Sequence, residues 1–361
     1  MDSTLSPGPA PSVPPPTYRD RSGGLVACGI IQILCGGLAA LGIPFMLLGL
    51  VMSAKTAGVH APIGASVSAV ASYGFLAVLQ FTLGIGSIRA RRWARALTLI
   101  VSWIWLLVGV LATVLFTAVL PTSFLAGIKQ ASSINPTAPP PPVAFIAVIL
   151  TFIIVLFAVF LVIIPLAFVI FFSRKDVEET CRRRDPVERW TDRRPLPVLA
   201  VSLVFAAAVP YYLLLGVTTP LFPFFGRYLV GIPAAIAFLA MAMLDAYLAV
   251  ALFRLKITGW WVAVVALGLR LISSAITFRR GDLLGAYAKM GWKQAQLNAM
   301  GSNPLFMSGA ILWWSLGFVL VFLGYVIWLR RYFQASAAPA SPQPLDSLSP
   351  SGISDQQPGT A

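Results

Sequence analysis

Residues 143–172 read VAFIAVILTFIIVLFAVFLVIIPLAFVIFF, a run of about 30 residues without a charged side chain. The apolar residues are continuous rather than alternating, which favours a helix over a membrane β-strand. About 20 apolar residues in a helix cross the hydrocarbon core of a bilayer. The stretch therefore predicts a transmembrane helix that tilts in the bilayer or projects beyond it.

The composition of the whole chain extends this interpretation. Of the 361 residues, 58% are hydrophobic and 11% are charged, whereas soluble domains carry about 25% charged residues. A soluble enzyme is therefore excluded. Because membrane segments must satisfy their backbone polar groups internally, we predict an all-α, polytopic transmembrane helical bundle. It has about eight spans, at residues 23–53, 62–88, 96–120, 143–172, 197–217, 228–254, 259–278 and 307–330.

Basic residues are distributed unevenly between the two sides of this bundle. Eighteen fall on the side that holds both termini, seven fall on the opposite side, and Arg270 lies inside span seven. Cytoplasmic loops carry the excess of Lys and Arg in membrane proteins. We therefore predict a multi-pass protein of the cell membrane with both termini in the cytoplasm. Most of the net charge of +14 is then a topology signal.

Short matches along the chain predict two tandem four-helix halves. Residues 44–49 of span one resemble residues 210–216 of span five, and at an offset of 165 residues Gln80 falls on Asp245. Halves with an even number of spans keep the same orientation, so the repeat is parallel. The halves either enclose a substrate site or simply pack together. The predicted divisions are a disordered tail 1–22, a first half 23–172, a charged cytoplasmic linker 173–196, a second half 197–332 and a disordered tail 333–361.

Asp245 and Arg270 are the two charges that lie deepest in the predicted spans. Both lie about 18–20 Å from the turn between spans six and seven, at 1.5 Å per residue, and so at one depth on adjacent helices. An unpaired charge at the bilayer centre costs about 2.5–3.5 kcal/mol on insertion scales, so we expect a salt bridge. The pair either fixes the helix hairpin or forms, near Gln80, a substrate or proton site. Gln80, the corresponding residue of the first half, cannot titrate.

The linker 173–196 is the most charged part of the chain, with eight basic and six acidic residues. A predicted helix places Val177, Thr180, Cys181 and Arg184 on one face. We expect the linker to lie on anionic lipid headgroups, with a docking site for a cytosolic protein partner as the alternative. Nucleic-acid binding is not expected, because acidic residues interrupt the basic ones. The bases predicted to face lipid or a partner are Arg174, Lys175, Arg182, Arg183, Arg184, Arg193 and Arg194.

Residues suited to catalysis or metal binding are scarce. His60 is the only histidine, and the three cysteines form no CxxC pair, so no metal site and no cofactor are expected. No GxSxG, HExxH, Walker or dinucleotide-binding signature occurs in a suitable context. No catalytic residue is assigned, and an enzyme is disfavoured.

Two short stretches resemble segments of other proteins. The turn 84–95, GIGSIRARRWAR, joins two apolar spans and resembles turns in uncharacterised bacterial multi-pass membrane proteins. The run 174–181, RKDVEETC, follows a span directly and resembles segments of the same proteins. The resemblance implies an integral membrane protein, and with it the bacterial inner membrane, but no activity.

Three function classes follow from these patterns. The first is a non-enzymatic integral membrane protein with a structural or interaction role through its cytoplasmic loop. The alternative is a small-solute or proton-coupled transporter with a site near Asp245 and Arg270 between the two halves. The third is a membrane enzyme that acts on lipid, for which no catalytic group can be named. A water-accessible cavity that reaches Asp245 would favour the transporter, and a tightly packed pair would favour the first class.

Overall fold

The computed structural model describes residues 19–57, 63–134, 143–301 and 310–337. Most of both predicted tails lies outside these ranges. The exception in the second tail is residues 333–337, which belong to the last helix, so the predicted boundary at 333 is too early. Phe333 explains the difference, because its side chain is fully buried in the apolar core of the second half.

Eight long apolar helices run through the described part of the chain, as predicted, and the chain is a predominantly helical integral membrane protein. A single two-stranded hairpin, β1 Leu221–Phe224 and β2 Arg227–Val230, is the other regular structure within these residues. The helices are α1 Ser22–Ala57, α2 Ile63–Ile88, α3 Arg92–Ile134, α4 Val143–Ala158, α5 Ile164–Phe172, α6 Lys175–Arg184, α7 Leu196–Thr218, α8 Ile232–Phe253, α9 Ile257–Arg280, α10 Leu283–Lys289, α11 Gln294–Gly301, α12 Ala310–Trp328 and α13 Arg330–Ala337.

A π-helical turn, Val159–Ile163, joins α4 and α5 into one span. Its cause is Pro165, which has no N–H to donate to the carbonyl of Leu161 four residues earlier. That carbonyl packs directly against Gly109 of α3, where a Cβ would overlap it. The wider turn therefore provides a point of close approach between α3 and the fourth span.

Glycines set the packing of the first helix hairpin. Gly29 of α1 and Gly84 of α2 face each other so closely that a Cβ on either would press against the other's carbonyl oxygen. In the membrane, association of helices depends on van der Waals packing, which small residues permit. α1 and α2 therefore form a tight pair in the first half, and α7 and α8 form the corresponding pair in the second.

The two halves meet through α2 and α7. The hydroxyls of Ser68 and Thr218 share a hydrogen bond, and Gly64 lies against the Thr218 carbonyl, where no Cβ would fit. α3 also packs against α12. Each half nevertheless has its own apolar core. One buried cluster draws on residues 25–181, and the other draws on residues 198–333.

The turn between α2 and α3 has the same geometry as the turn between α8 and α9. Ala90 and Leu255 both adopt a positive φ, of 49° and 56°. In each turn the next residue's N–H bonds the carbonyl five residues earlier, at 3.0 Å in both cases. This is a helix C-cap of the Schellman type. The two turns lie 165 residues apart, the predicted repeat offset, and the duplication itself stays a prediction.

The β-hairpin lies where the sequence predicts only a loop and the beginning of span six. Its turn, Phe225–Gly226, is held by α9: the Phe225 N–H donates to Ser273 Oγ, and the Gly226 N–H donates to Thr277 Oγ1, both at 3.0 Å. The hairpin therefore closes the end of the second half, and α8 begins only at Ile232.

Candidate functional site

Charged residues from distant parts of the chain meet at one end of the bundle, which we call the charged end: the beginning of α1, the α2–α3 turn, α6 and residues 185–195. Arg21 pairs with Asp176 at 3.5 Å, and Arg95 pairs with Glu178 at 3.0 Å. The first contact connects α6 to the beginning of α1, and the second connects it to the beginning of α3. The linker is therefore part of the folded structure rather than a separate helix on the membrane surface.

α6 is attached to the first half by its apolar face. Val177, Thr180 and Cys181 are fully buried, as the shared face predicts, and Val177 and Cys181 join the core formed by α1, α3 and α5. Arg184, assigned to the same face, is instead exposed and pairs with Asp20 at 3.4 Å. Burial raises the pKa of the Cys181 thiol to about 11, so the thiol stays protonated at neutral pH.

The segment after α6 is tied to the α2–α3 turn through Asp185. This carboxylate is 1% exposed and lies 3.3 Å from Arg91 and 3.5 Å from Arg189. It also accepts a hydrogen bond from the Arg92 backbone N–H. Nothing in the local pattern singles out Asp185 from the other acids of the linker, so its role was missed in the sequence. One signal was present: Asp185 is negatively charged, and the basic α2–α3 turn lies on the same predicted side of the membrane.

The structure leaves most of the linker bases exposed. Arg189 and Arg194 are the exceptions, because both are half-buried, and the Arg194 guanidinium lies 5.6 Å from the centre of the Phe253 ring. Six of the seven predicted positions are exposed, and these are Arg174, Lys175, Arg182, Arg183, Arg184 and Arg193. The bases are available to a ligand outside the bundle although the helix that carries them is anchored.

Aromatic contacts extend the charged end to the second half. Arg194 links the linker to the end of α8 at Phe253, and Arg330 lies 5.7 Å from the ring centre of Trp260 at the beginning of α9. Together with the ion pairs of α6, these contacts gather five basic segments at one end: the residues before α1, the α2–α3 turn, the linker, the α8–α9 turn and the beginning of α13. That gathering requires the chain to return to the same end after each pair of spans.

The second candidate site is the pair of charges inside the second half. Arg270 Nη2 on α9 donates a hydrogen bond to Asp245 Oδ1 on α8. The Arg270 guanidinium also lies 5.7 Å from the ring centre of Tyr212 on α7. Asp245 is fully buried. Within the described residues, Asp245 Oδ2 and Arg270 Nε are buried without a hydrogen-bond partner.

Gln80, the third residue of this predicted site, lies in the first half. It is 4% exposed, and its Cβ lies against Gly36 of α1. Asp245 and Arg270 contact each other and, through Arg270, Tyr212, and all three residues lie in the second half, on α8, α9 and α7. Within the described residues, neither of two cavities is lined by Asp245 or Arg270. One is a groove on the outer side of α4, and the other lies at the charged end.

No group of three or more His, Cys, Asp or Glu residues that could hold a metal ion occurs among the residues described. Comparison of the chain with protein-family models, with curated proteins and with solved structures finds no match.

Proposed function

We propose that this integral membrane protein has a non-enzymatic, structural or interaction role, and that its charged end faces the cytoplasm and meets anionic lipid headgroups. The observation that carries the proposal is the anchoring of α6. Its apolar face is buried in the first half, and its basic residues stay exposed. α6 begins three residues after the end of α5, so its bases lie close to the membrane surface.

The chemistry of the membrane surface supports this role. Anionic lipids of the cytoplasmic leaflet attract each nearby Lys or Arg by about 1 kcal/mol. A helix that is already folded and anchored loses little conformational entropy when it binds. The five basic segments gathered at this end favour a cytoplasmic orientation by the positive-inside rule. In a bacterial inner membrane, the exposed bases would then lie over anionic headgroups.

Hydrogen exchange tests the lipid contact. The full-length protein is placed in nanodiscs of neutral lipid, or of neutral lipid mixed with anionic phosphatidylglycerol, and amide exchange of residues 173–194 is measured. We expect slower exchange in the anionic bilayer. Replacing Lys175, Arg183 and Arg193 together by glutamine should remove the difference. Glutamine at Arg280, Lys289 and Lys293, near the opposite end, is the matched control and should preserve it.

Equal exchange in the two bilayers would contradict the lipid contact. A cytosolic protein partner would then be the remaining occupant of the exposed bases. Photo-crosslinking from position 183 in intact cells distinguishes the two, because it yields a lipid adduct in one case and a protein adduct in the other.

The unpartnered atoms of the buried pair support a second function, a small-solute or proton-coupled transporter. A buried carboxylate oxygen and guanidinium N–H without partners are costly, and a proton or polar solute would relieve that cost. Proteoliposomes loaded with a pH-sensitive dye test this function. A transporter should give a protein-dependent flux that Asp245→Asn abolishes. The absence of such flux for protons would contradict proton coupling through Asp245.

A further inference from the structure

A small polar cavity of about 190 Å³ lies at the charged end, between the beginning of α3, helix α6 and residues 191–196. It is smaller than the roughly 300–1,000 Å³ pockets that bind drug-sized ligands and cofactors. A whole nucleotide therefore does not fit, whereas a single oxyanion with a few waters does. The residues that line it are Arg92, Arg95, Ala96, Glu178, Cys181, Arg182, Thr191, Asp192, Arg194 and Leu196.

The lining has an excess of positive charge. It holds four arginines and two acids, and each acid already has an arginine partner. Arg95 lies 3.0 Å from Glu178, and Arg92 lies 3.4 Å from Asp192.

The two remaining arginines lack such compensation. Among the residues that the structure describes, no ion pair within 4 Å is formed by Arg182 or Arg194. The cavity therefore carries two guanidinium groups whose charge is not balanced by its own acids, which favours an anionic ligand.

Two buried donors at the cavity also lack partners. Thr191 is 2% exposed, and its hydroxyl has no hydrogen-bond partner in the described part of the protein. The same holds for Arg194 Nε. Buried polar groups in folded proteins are nearly always hydrogen-bonded, so an unpartnered hydroxyl and an unpartnered guanidinium N–H on two residues that line the same cavity indicate a missing acceptor. Both groups can donate to one oxyanion.

The geometry points to a binding site for one phosphate group, held by Arg182, Arg194 and the Thr191 hydroxyl. The planar guanidinium presents a fork of N–H donors that matches phosphate oxygens. The phosphate can belong to a free phosphorylated solute or to the headgroup of a membrane phospholipid. The inference deepens the proposed function, and it rests on that function for the orientation of this end in the membrane.

The cavity is suited to holding phosphate rather than to transferring it. The two carboxylates of the lining, Glu178 and Asp192, are already paired with arginines, and Cys181 is its thiol. Because burial raises its pKa to about 11, the thiol stays protonated at neutral pH, and the thiolate is the nucleophilic form. The site therefore binds phosphate as a structural or regulatory ligand.

Calorimetric titration of inorganic phosphate tests the free-solute source. The full-length protein is held in a neutral detergent at constant ionic strength, with chloride as the reference anion. We expect saturable binding of phosphate. Arg182→Gln and Arg194→Gln should each weaken it about tenfold, the usual effect of losing a charge-assisted hydrogen bond. Thr191→Val, which keeps the shape of the side chain, should weaken it about threefold.

Native mass spectrometry tests the lipid source. Phosphatidylglycerol and diacylglycerol, which lacks the phosphate, are added in turn to the detergent-solubilised protein. If a headgroup occupies the cavity, phosphatidylglycerol should bind, diacylglycerol should not, and the same three variants should lose the bound lipid.

Neighbouring arginines outside the lining provide matched controls. In the phosphate titration, Arg183→Gln and Arg193→Gln remove the same charge one residue away from Arg182 and Arg194, and neither residue lines the cavity. Variants are compared only after their thermal unfolding shows that they fold. Phosphate binding that is sensitive to the cavity variants and insensitive to these controls supports the site, as does phosphatidylglycerol binding that the cavity variants abolish.

Two outcomes would overturn it. One is that neither phosphate nor phosphatidylglycerol binds to the native protein. The other is equal weakening by cavity and control variants, which would indicate a diffuse surface attraction. That second result would still agree with the proposed lipid contact of α6, so failure of the cavity site and failure of the proposed function are distinguishable.

Discussion

The two ionic regions of this protein are built differently. At the charged end, the described residues form seven ion pairs, and most of their side chains are partly exposed. Five of these pairs connect α6 and its flanking segments to the beginning of α1, to the α2–α3 turn or to the beginning of α3, and two lie within residues 173–196. In the second half, Asp245 and Arg270 form a single pair among apolar helices, with the Asp245 side chain fully buried. The first region contains many partly exposed ion pairs, and the second contains one buried ion pair.

The difference determines where substitution is costly. An exposed ion pair contributes at most about 1 kcal/mol, because water and salt screen it. Removing one partner of a buried pair costs about 3–5 kcal/mol, because the other charge remains buried and uncompensated. The charged end should therefore tolerate single changes and still present its bases, whereas the buried pair should not.

The largest effect is expected at the buried pair. Asp245→Asn and Arg270→Gln should each destabilise the protein by about 3 kcal/mol, and the double variant should recover part of the loss. The measurement is the yield of monodisperse protein together with a denaturant titration. Asp176→Asn, which breaks an exposed pair at the charged end, is the control and should change stability little. Normal folding of both single variants would contradict the pairing role.

A smaller effect is expected at Asp185, the most buried acid of the charged end. It loses contacts with Arg91 and Arg189 when it is replaced by asparagine. Since hydrogen bonds to charged groups contribute about 1.5–3 kcal/mol, we expect a loss of about 2 kcal/mol in thermal unfolding experiments. A loss as small as that of Asp176→Asn would show that burial does not distinguish the pairs within this region.

A still smaller effect is expected at the exposed pair of Arg183 and Glu179, one helical turn apart at 2.9 Å. Arg183→Gln should cost at most about 0.5 kcal/mol. High salt shortens the Debye length to about 3 Å at 1 M, so the cost should vanish there. The cost of Asp245→Asn should persist at the same salt concentration. Equal salt sensitivity of the two variants would remove the contrast between the regions.

The smallest effect is expected at Asp20, which lies before α1. The Ser22 backbone N–H and hydroxyl hold the pKa of this carboxyl below its ordinary value of 3.8, and Arg184 adds to the effect. Because the folded pKa is lowered, ionised Asp20 stabilises the fold above about pH 4, and this is lost as pH falls through the folded pKa. The Tm difference between wild type and Asp20→Asn should therefore shrink at acidic pH. A difference that does not change with pH would contradict this account.

The spans could be predicted because each is a long apolar run with no competing interpretation. The β-hairpin could not, because seven of the ten residues 221–230 are hydrophobic and the segment runs directly into the next span. Its signal is the Phe225–Gly226 dipeptide between two short aromatic-rich runs, with Gly226 at a φ of 94° in the turn. Length and hydropathy do not distinguish such a segment from the beginning of a helix.

The candidate sites were predictable in part. Counting residues from the turn places Asp245 and Arg270 at one depth, and the structure joins them by a hydrogen bond. The contact of Arg270 with Tyr212 depends on the packing of α7, which no local pattern indicates. Similarly, helical spacing predicts the buried face of α6, and Arg184 departs from it because Asp20 lies outside the helix and draws it toward solvent.

The sequence by itself determined that this chain has about eight apolar spans, and it predicts an excess of bases on one side, because hydropathy and charge are properties of residues in order along the chain. Only the tertiary structure decided that α6 is anchored, that Asp185 joins the linker to the α2–α3 turn, and that Arg182, Thr191 and Arg194 surround one cavity. These features depend on side chains that come from separate segments. Their contacts form only when the helices pack.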